Sequence, residues 1–457
     1  MRYFIDPFGC VKNQVDAENI MAHLNNAGWE NASGAESADL IIVNSCGFIE
    51  SAKQESINAV LEWRKIFPKK KILLAGCLAQ RYAKELSEEL KEADGFMGVE
   101  DLKKITEKIK EIFGNKFLGE EFSQRTQRDA EDAEGEEGKD GEKLLTGERP
   151  LLSLPGSAYV KISEGCNNNC SYCAIPMIRG KHVSRSIPDI IEECRILLSR
   201  GIKELCIIGQ DIGAYGTEKA GLPDLLNAIS ELDGNFWVRL LYIHPDHFPL
   251  QVLDIIERDS RFLPYFDIPF QHASSKILAA MNRSGTAEKY LALISTIRAM
   301  LPNAVIRSTF LLGFPGETEE DFVALLDFQK KASLEWLGCF TYSREEGTAA
   351  FAMKERVPAK IAQERKQKIE DCQMLITEKN MDRLTGQTLD VLIEEQFISE
   401  SDKNEENLWL GRLYCQAPEV DGAAVIVSGK DGNNLQLGTL VPCKVVARRG
   451  FDLEVLV

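Results

Sequence analysis

Three cysteines, Cys166, Cys170 and Cys173, fall within eight residues in the stretch EGCNNNCSYCAIP. Thiolates so spaced can curl around one metal centre. A fourth cysteine would close a structural zinc site, whereas three leave one metal position open. A 4Fe–4S cluster on three cysteines keeps one iron free for an outside ligand, and that is the chemistry the spacing points to. Zinc completed by a ligand from elsewhere in the chain is the alternative. A second set is dispersed: Cys10 in FGC, Cys46 in NSCGF and Cys77 in AGCLAQ. Each follows an apolar run that reads as a strand, and each adjoins a glycine. Open α/β sheets place their ligand crevice outside the carboxyl ends of the strands, and glycine lets backbone approach closely. These coincidences predict a second three-cysteine cluster. Cys194, Cys206, Cys339, Cys372, Cys415 and Cys443 read instead as small buried hydrophobes.

The elements that would position these residues follow from the apolar pattern. Runs at Arg2–Phe8, Asp39–Asn44 and Lys71–Ala75 alternate with helical periodicity at Val15–Ala27, Ser51–Phe67 and Gln80–Leu90. Short apolar strands between amphipathic helices predict a parallel sheet with covered faces, one α/β domain over residues 1–118. Residues 119–149 have almost no apolar content and read as a solvated acidic linker; residues 120–142 hold ten acids and three bases. Over residues 150–375 a strand–helix unit recurs about six times. Its strand candidates are Ala158–Ser163, Glu204–Gly209, Trp237–Ile243, Tyr265–Phe270, Ala304–Leu312 and Glu335–Tyr342, with helices such as Asp189–Ser199 and Ala287–Met300 between. This predicts a partial (βα)6 barrel, short of the eight units of a closed one, with its chemistry at the carboxyl ends of the strands. Residues 380–457 change character: Leu389–Ile393, Trp409–Tyr414, Ala423–Val427 and Val441–Ala447, with turns such as Asp431-Gly432, predict a small antiparallel β-barrel.

Composition bounds the rest. The chain has 457 residues, 44% hydrophobic and 27% charged, which excludes bulk disorder and collagen-like structure. No apolar run approaches the roughly 18 residues that span a bilayer. Met1–Cys10 lacks the pattern of a secretory leader. The expectation is a cytoplasmic protein without membrane association, whose twelve thiols stay reduced and do not form a disulfide framework. A net charge of −17 argues against generic polyanion binding.

The Cys166–Cys173 loop, together with FGCVKNQVDAE, VNSCGFIESAKQES and LAGCLAQRY, resembles the radical S-adenosylmethionine methylthiotransferases over nearly the whole chain. The last domain looks like a TRAM barrel. The stretches CAIPMIRGKHVSR, GQDIGAYG, IPFQHAS, GFPGETEEDF, TYSREEGTAAF and APEVDG are most similar to the branch that modifies ribosomal small-subunit protein twelve. The chain departs from the family in its longer, more acidic linker and in Asp6-Pro7-Phe8 before Gly9; neither touches a cysteine. The resemblance implies two 4Fe–4S clusters. One, on Cys166, Cys170 and Cys173 in the radical-SAM barrel, binds and reductively cleaves S-adenosylmethionine. The other, on Cys10, Cys46 and Cys77, presents sulfur. The product is a methylthio group on carbon, implied to be the β-carbon of an aspartate. No catalytic side chain beyond the cluster ligands is expected.

The resemblance also implies contacts to S-adenosylmethionine, each beside a plainer structural role. Tyr172 would pack on the adenine or simply fill its loop. Gln210 and Asp211, after Gly209, would meet the methionine end or form a strand-end turn. Gln271, beside His272, would contact the cofactor or serve structural hydrogen bonding. Gly313 opens Gly313-Phe314-Pro315-Gly316-Glu317, a loose match to an adenine-binding motif. Arg185 would pair with a carboxylate or lie solvated. No Rossmann or P-loop spacing is present.

Charge bears on the partner. Residues 380–457 carry thirteen acids and seven bases, net −6, with an acidic concentration at Glu400–Glu406. Such a barrel repels RNA phosphate and suits a basic ribosomal protein, although Arg448-Arg449 leaves a local basic patch. The expected partners are ribosomal small-subunit protein twelve, or the small subunit itself, and a flavodoxin-like or ferredoxin-like electron donor. A methylthiotransferase acting on an adenosine of transfer RNA is the alternative. A non-catalytic iron–sulfur or zinc module is the remaining one.

Overall fold

The computed structural model describes residues 1–114, 148–217, 220–397, 408–427 and 435–457, with the backbone alone at Lys103 and Thr217. Most of the acidic stretch, the Glu400–Glu406 segment and the Asp431-Gly432 turn lie outside the described residues. The chain forms two compact units. One comprises Met1–Leu152, Glu164–Ile196 and Ser343–Phe351; the other comprises Ser153–Ser163, Leu197–Tyr342 and Ala352–Val457.

In the first unit the elements run β1 (Arg2–Pro7), α1 (Val11–Asn26), β2 (Glu30–Asn31), β3 (Leu40–Ser45), α2 (Glu50–Ile66), β4 (Lys71–Gly76), α3 (Cys77–Arg81), α4 (Ala83–Glu89), β5 (Gly95–Met97) and α5 (Ile105–Phe113). The strands form one parallel sheet in the order β2-β1-β3-β4-β5. Every residue of β3 is buried, as a run apolar on both faces requires. Leu40 and Ile42 pack with Tyr3, Ile20, Leu24, Ile105 and Ile109 on one face. Ile41 and Val43 pack with Val60, Leu74 and Leu86 on the other. The predicted helix Gln80–Leu90 is corrected. It starts at Cys77, immediately after Gly76 at φ +101°, and is interrupted at Tyr82, where φ is −131° and ψ 35°. Strands β2 and β5 and helix α5 were not expected. The two strands are two and three residues long, too short to show a period. Arg149, at the end of the acidic stretch, is buried against Glu18 at 2.8 Å and Glu193 at 2.5 Å.

In the second unit β6 (Ser157–Lys161), β7 (Glu204–Ile208), β8 (Trp237–Leu240), β9 (Phe262–Asp267), β10 (Val305–Leu312) and β11 (Trp336–Thr341) lie side by side in chain order, all parallel. The sheet is open, with six strands. Strand β9 starts three residues before the Tyr265–Phe270 span expected for it and ends at Asp267, within that span. Ile268 is followed by Pro269, which has no N–H for the ladder, and Pro264 sits at the irregularity in the pairing of β8 with β9. A 24-residue helix, Ala359–Asp382, was also unexpected. Several of its buried positions, Arg365, Gln373 and Thr377, are polar, so its inward stripe does not read as apolar.

The final strands, Thr388–Phe397, Leu408–Arg412, Ala424–Val427, Leu440–Arg449 and Asp452–Leu456, close into a barrel. The expected antiparallel arrangement is corrected at one seam: Ala424–Val427 and Asp452–Leu456 pair in parallel. A buried ionic cluster ties this barrel to the sheet. Glu204 accepts from Arg239 Nε at 2.7 Å, from Ser157 Oγ at 2.8 Å and from the Arg412 guanidinium. Arg412 Nε in turn donates to Glu394 at 2.8 Å. Burial alone would raise the Glu204 pKa, but Arg412 and Arg239 outweigh it and hold it at about 2. Replacing Arg412 by Met leaves two buried carboxylates short of a cation. It is expected to lower stability by about 3–5 kcal/mol, read as a lower urea midpoint by circular dichroism.

Candidate metal centre

Cys10, Cys46 and Cys77 follow the carboxyl ends of β1, β3 and β4, three adjacent parallel strands. The glycine beside each cysteine has another cysteine loop against it. A Cβ at Gly9, whose φ is +94°, would lie 3.1 Å from the Cys46 Cβ; one at Gly47 would lie 2.7 Å from the Cys77 carbonyl oxygen; one at Gly76 would lie 2.7 Å from the Ser45 carbonyl oxygen. The Cys46 amide donates to Ser56 Oγ of α2 at 3.1 Å.

Two residues that the sequence did not single out complete this arrangement. Asn13, in the first turn of α1, is 1% exposed. Its Nδ2 donates to the Ser45 carbonyl at 2.8 Å and the Phe8 carbonyl at 3.4 Å. Its Oδ1 stands 3.3 Å from Cys77 Sγ and 3.8 Å from Cys10 Sγ. The second is Arg179. Its Nη2 donates to Asn13 Oδ1 at 2.7 Å, Asp16 Oδ2 at 2.8 Å and Cys77 Sγ at 3.2 Å. Both lie inside stretches that carry the family resemblance. A polar residue three positions after Cys10 in a helix over the apolar sheet is the signal that points to Asn13.

Burial pushes the Cys77 thiol up to about 12, with Arg179 opposing, and also raises Cys46. A metal bound there would displace those protons. Among the described residues, no three or more His, Cys, Asp and Glu side chains already stand as ligands around one point. The donor set nonetheless fits an iron–sulfur cluster: three thiols on converging loops, backbone without Cβ between them, and a cation beside one sulfur.

The Cys166–Cys173 loop is half-buried. Gly165, at φ +74°, leaves 2.2 Å between a built Cβ and the Lys181 carbonyl oxygen, so no side chain fits there. The Cys166 amide donates to the Gly180 carbonyl at 3.3 Å and the Cys173 amide to the Cys170 carbonyl at 3.0 Å. Tyr172 is half-buried in the same loop, and the Ser171 carbonyl accepts from the Ala350 amide at 2.8 Å. Arg185 pairs with Glu193 at 2.5 Å and is not a solvated residue. All twelve cysteines are free thiols.

In the second unit, Gln210 and Asp211 follow β7. Asp211 Oδ1 accepts from the amides of Gly213 and His244, each at 3.0 Å, and Oδ2 meets His247 Nδ1 at 2.7 Å. Its carboxylate thus orders its own turn. Gln271, at φ +67°, continues the ladder after β9: its amide donates to the Thr309 carbonyl at 2.7 Å, and its carbonyl accepts from Leu311 at 2.8 Å. His272 is fully buried, with Nδ1 accepting from the Ser274 amide at 2.9 Å. Gly313, at φ +73°, lies against helix Ala359–Asp382, where a Cβ would meet the Ala362 Cβ at 2.5 Å. Its amide donates to Glu317 at 2.7 Å, and Glu317 pairs with Arg365 at 2.7 Å.

Residues 2–98 match the uncharacterized protein family UPF0004, residues 160–328 the radical SAM superfamily and residues 385–457 the TRAM domain. The chain is 47% identical to the ribosomal protein uS12 methylthiotransferase RimO of Treponema denticola, over 98% of this chain and 99% of that one. It belongs to the RimO methylthiotransferase family. The RimO of Syntrophomonas wolfei is 41% identical over 97% of each chain. Members of this family are radical S-adenosylmethionine enzymes, and a 4Fe–4S cluster with S-adenosylmethionine is the cofactor pair of the superfamily. Among solved structures, the radical S-adenosylmethionine methyltransferase TsrM of Kitasatospora setae, with cobalamin and a 4Fe–4S cluster bound, is similar at TM-score 0.53 and 14% identity, covering 76% of each chain. The cobalamin-dependent enzyme OxsB is similar at TM-score 0.52 and 12% identity, covering 81% of this chain and 56% of that one. These two likenesses concern the fold alone. Among the described residues no helix is long and apolar enough to cross a membrane.

One strand-end group is sensitive to acid. Burial lowers the His272 pKa from 6.5 to about 4, with Asp321 opposing and Arg365 assisting. The unfolded chain therefore binds the extra proton first. The contribution of His272 is complete above pH 6.5 and is lost as pH falls towards 4, by about 3 kcal/mol in all. Urea unfolding measured across that range should show a flatter acid limb in His272→Gln than in the parent.

Proposed function

We propose that this chain places a methylthio group on ribosomal protein uS12, the small-subunit protein twelve named above, at the β-carbon of an aspartate. In this reading Cys166, Cys170 and Cys173 hold a 4Fe–4S cluster, and Cys10, Cys46 and Cys77 hold a second. The observation that carries it is the convergence of the three N-terminal cysteine loops on Asn13, in a chain whose full-length relatives are named uS12 methylthiotransferases. The bound clusters supply the electron that cleaves S-adenosylmethionine and an iron at which sulfur is presented.

The chain's own residues bind and orient. Asn13 holds the three N-terminal loops in register, and Gly9, Gly47 and Gly76 leave room for them. The backbone of residues 165–181 shapes the other loop. In the first unit, Tyr172 contacts the adenine. In the second, Gln210, Gln271 and the Gly313 turn contact S-adenosylmethionine, and Asp211 orders the turn that carries Gln210. The TRAM barrel's net acidity supports a basic protein as the partner and weighs against transfer RNA. A flavodoxin-like or ferredoxin-like protein supplies electrons, and the cytoplasm is where such thiols stay reduced.

Anaerobically reconstituted protein is expected to hold about eight irons, from two four-iron clusters. Replacing either cysteine triad by alanine should leave about four; full iron in the Cys10/Cys46/Cys77 variant would return that triad to core packing. Intact-mass and peptide mapping of uS12 from cells with and without the gene should show the methylthio increment only when the gene is present. Unmodified uS12 in both strains sinks the substrate assignment. Binding of purified uS12 should weaken as salt rises from low to physiological strength, where the screening length is about 8 Å. Tight transfer-RNA binding with none to uS12 would reverse the choice of partner.

A further inference from the structure

Arg179 is the last residue of the helix Ile175–Arg179 that follows the Cys166–Cys173 loop. Its side chain is 2% exposed, and it does not face solvent. Nη1 donates to Glu164, just before that loop, at 3.0 Å. Nη2 donates to Cys77 Sγ, at the other triad, at 3.2 Å. One guanidinium is therefore fixed by the chain on both sides of one cysteine loop while it hydrogen-bonds a sulfur of the second set. Its counter-ion there is Asp16, at 2.8 Å and likewise 2% exposed, whereas Glu164 is 35% exposed.

We propose that Arg179 is a positioning residue that hydrogen-bonds the Cys77 sulfur of the N-terminal cluster and sets that cluster's reduction potential, so that the seat of one cluster tunes the other. The inference rests on the reading of Cys10, Cys46 and Cys77 as cluster ligands. A hydrogen bond and a positive charge at a ligating sulfur stabilise the reduced, more negative cluster and raise its potential. Burial keeps water from screening that charge. Asp16 offsets it in part, so the pair sets the value together.

The test uses the full chain with Cys166, Cys170 and Cys173 replaced by alanine, so that only the N-terminal cluster assembles. Iron is counted, and the midpoint potential is read by a redox titration followed by electron paramagnetic resonance. Arg179→Gln should shift the potential negative, and Arg179→Lys should recover part of the shift. Asp16→Asn should shift it positive. Loosening of the site does not produce opposite shifts from the two substitutions, and Asp16→Asn decides alone if Arg179→Gln does not fold. Unchanged potentials, or shifts of the same sign, with iron retained, overturn the role of Arg179 and leave the cluster reading standing. Absence of iron from the protein that keeps Arg179 and Asp16 overturns the cluster reading itself, and the role of Arg179 with it.

Discussion

The Asn13 side chain is 1% exposed, and every polar atom on it is committed. Its nitrogen donates to carbonyls in the loops that carry Cys10 and Cys46, while its oxygen faces the sulfurs of Cys10 and Cys77 and the guanidinium of Arg179. Its own carbonyl accepts from Asn44 Nδ2 at 2.6 Å. A buried amide that loses a partner costs about 1–3 kcal/mol, so these loops are not free to part without penalty. A parallel sheet brings three loops to one edge; Asn13 makes them meet. The absence of a Cβ at Gly9, Gly47 and Gly76 lets the backbone of these loops approach closely.

In the second unit, buried charge is set against opposite charge. Glu204, Arg239, Arg412 and Glu394 form a closed set between sheet and barrel. Asp421 is held by Arg307 at 3.4 Å and by the Tyr265 hydroxyl at 2.6 Å. The barrel is therefore joined to the sheet by directional bonds as well as apolar contact, and part of its charge is neutralised inside and not presented outside.

Much of this was legible in the sequence because burial on both faces leaves largely apolar runs: β3, β4 and the six strands of the second unit's parallel sheet are found that way, β9 with shifted ends. The cysteines were legible because their type and spacing carry chemistry directly. Asn13 and Arg179 were not, because a polar residue does not declare its partner, and theirs are distant in sequence. The helix Ala359–Asp382 hid behind polar inward positions, and the ending of β9 depended on a proline whose effect is local. The last barrel strand, Asp452–Leu456, is five residues long and ends one residue before Val457, too little chain for a pattern to stand out.

Arg149 has no solvent-exposed side-chain surface and is clasped by Glu18 and Glu193. The chain leaves helix α5 at Gly114 and is pinned again at Arg149, whatever residues lie between. Leu152 adds its amide to the same Glu18 carboxylate at 2.9 Å. Charge, and not apolar packing, therefore fixes where the chain re-enters the first unit. Losing either carboxylate would leave a buried cation with half its partners, at a cost of about 3–5 kcal/mol.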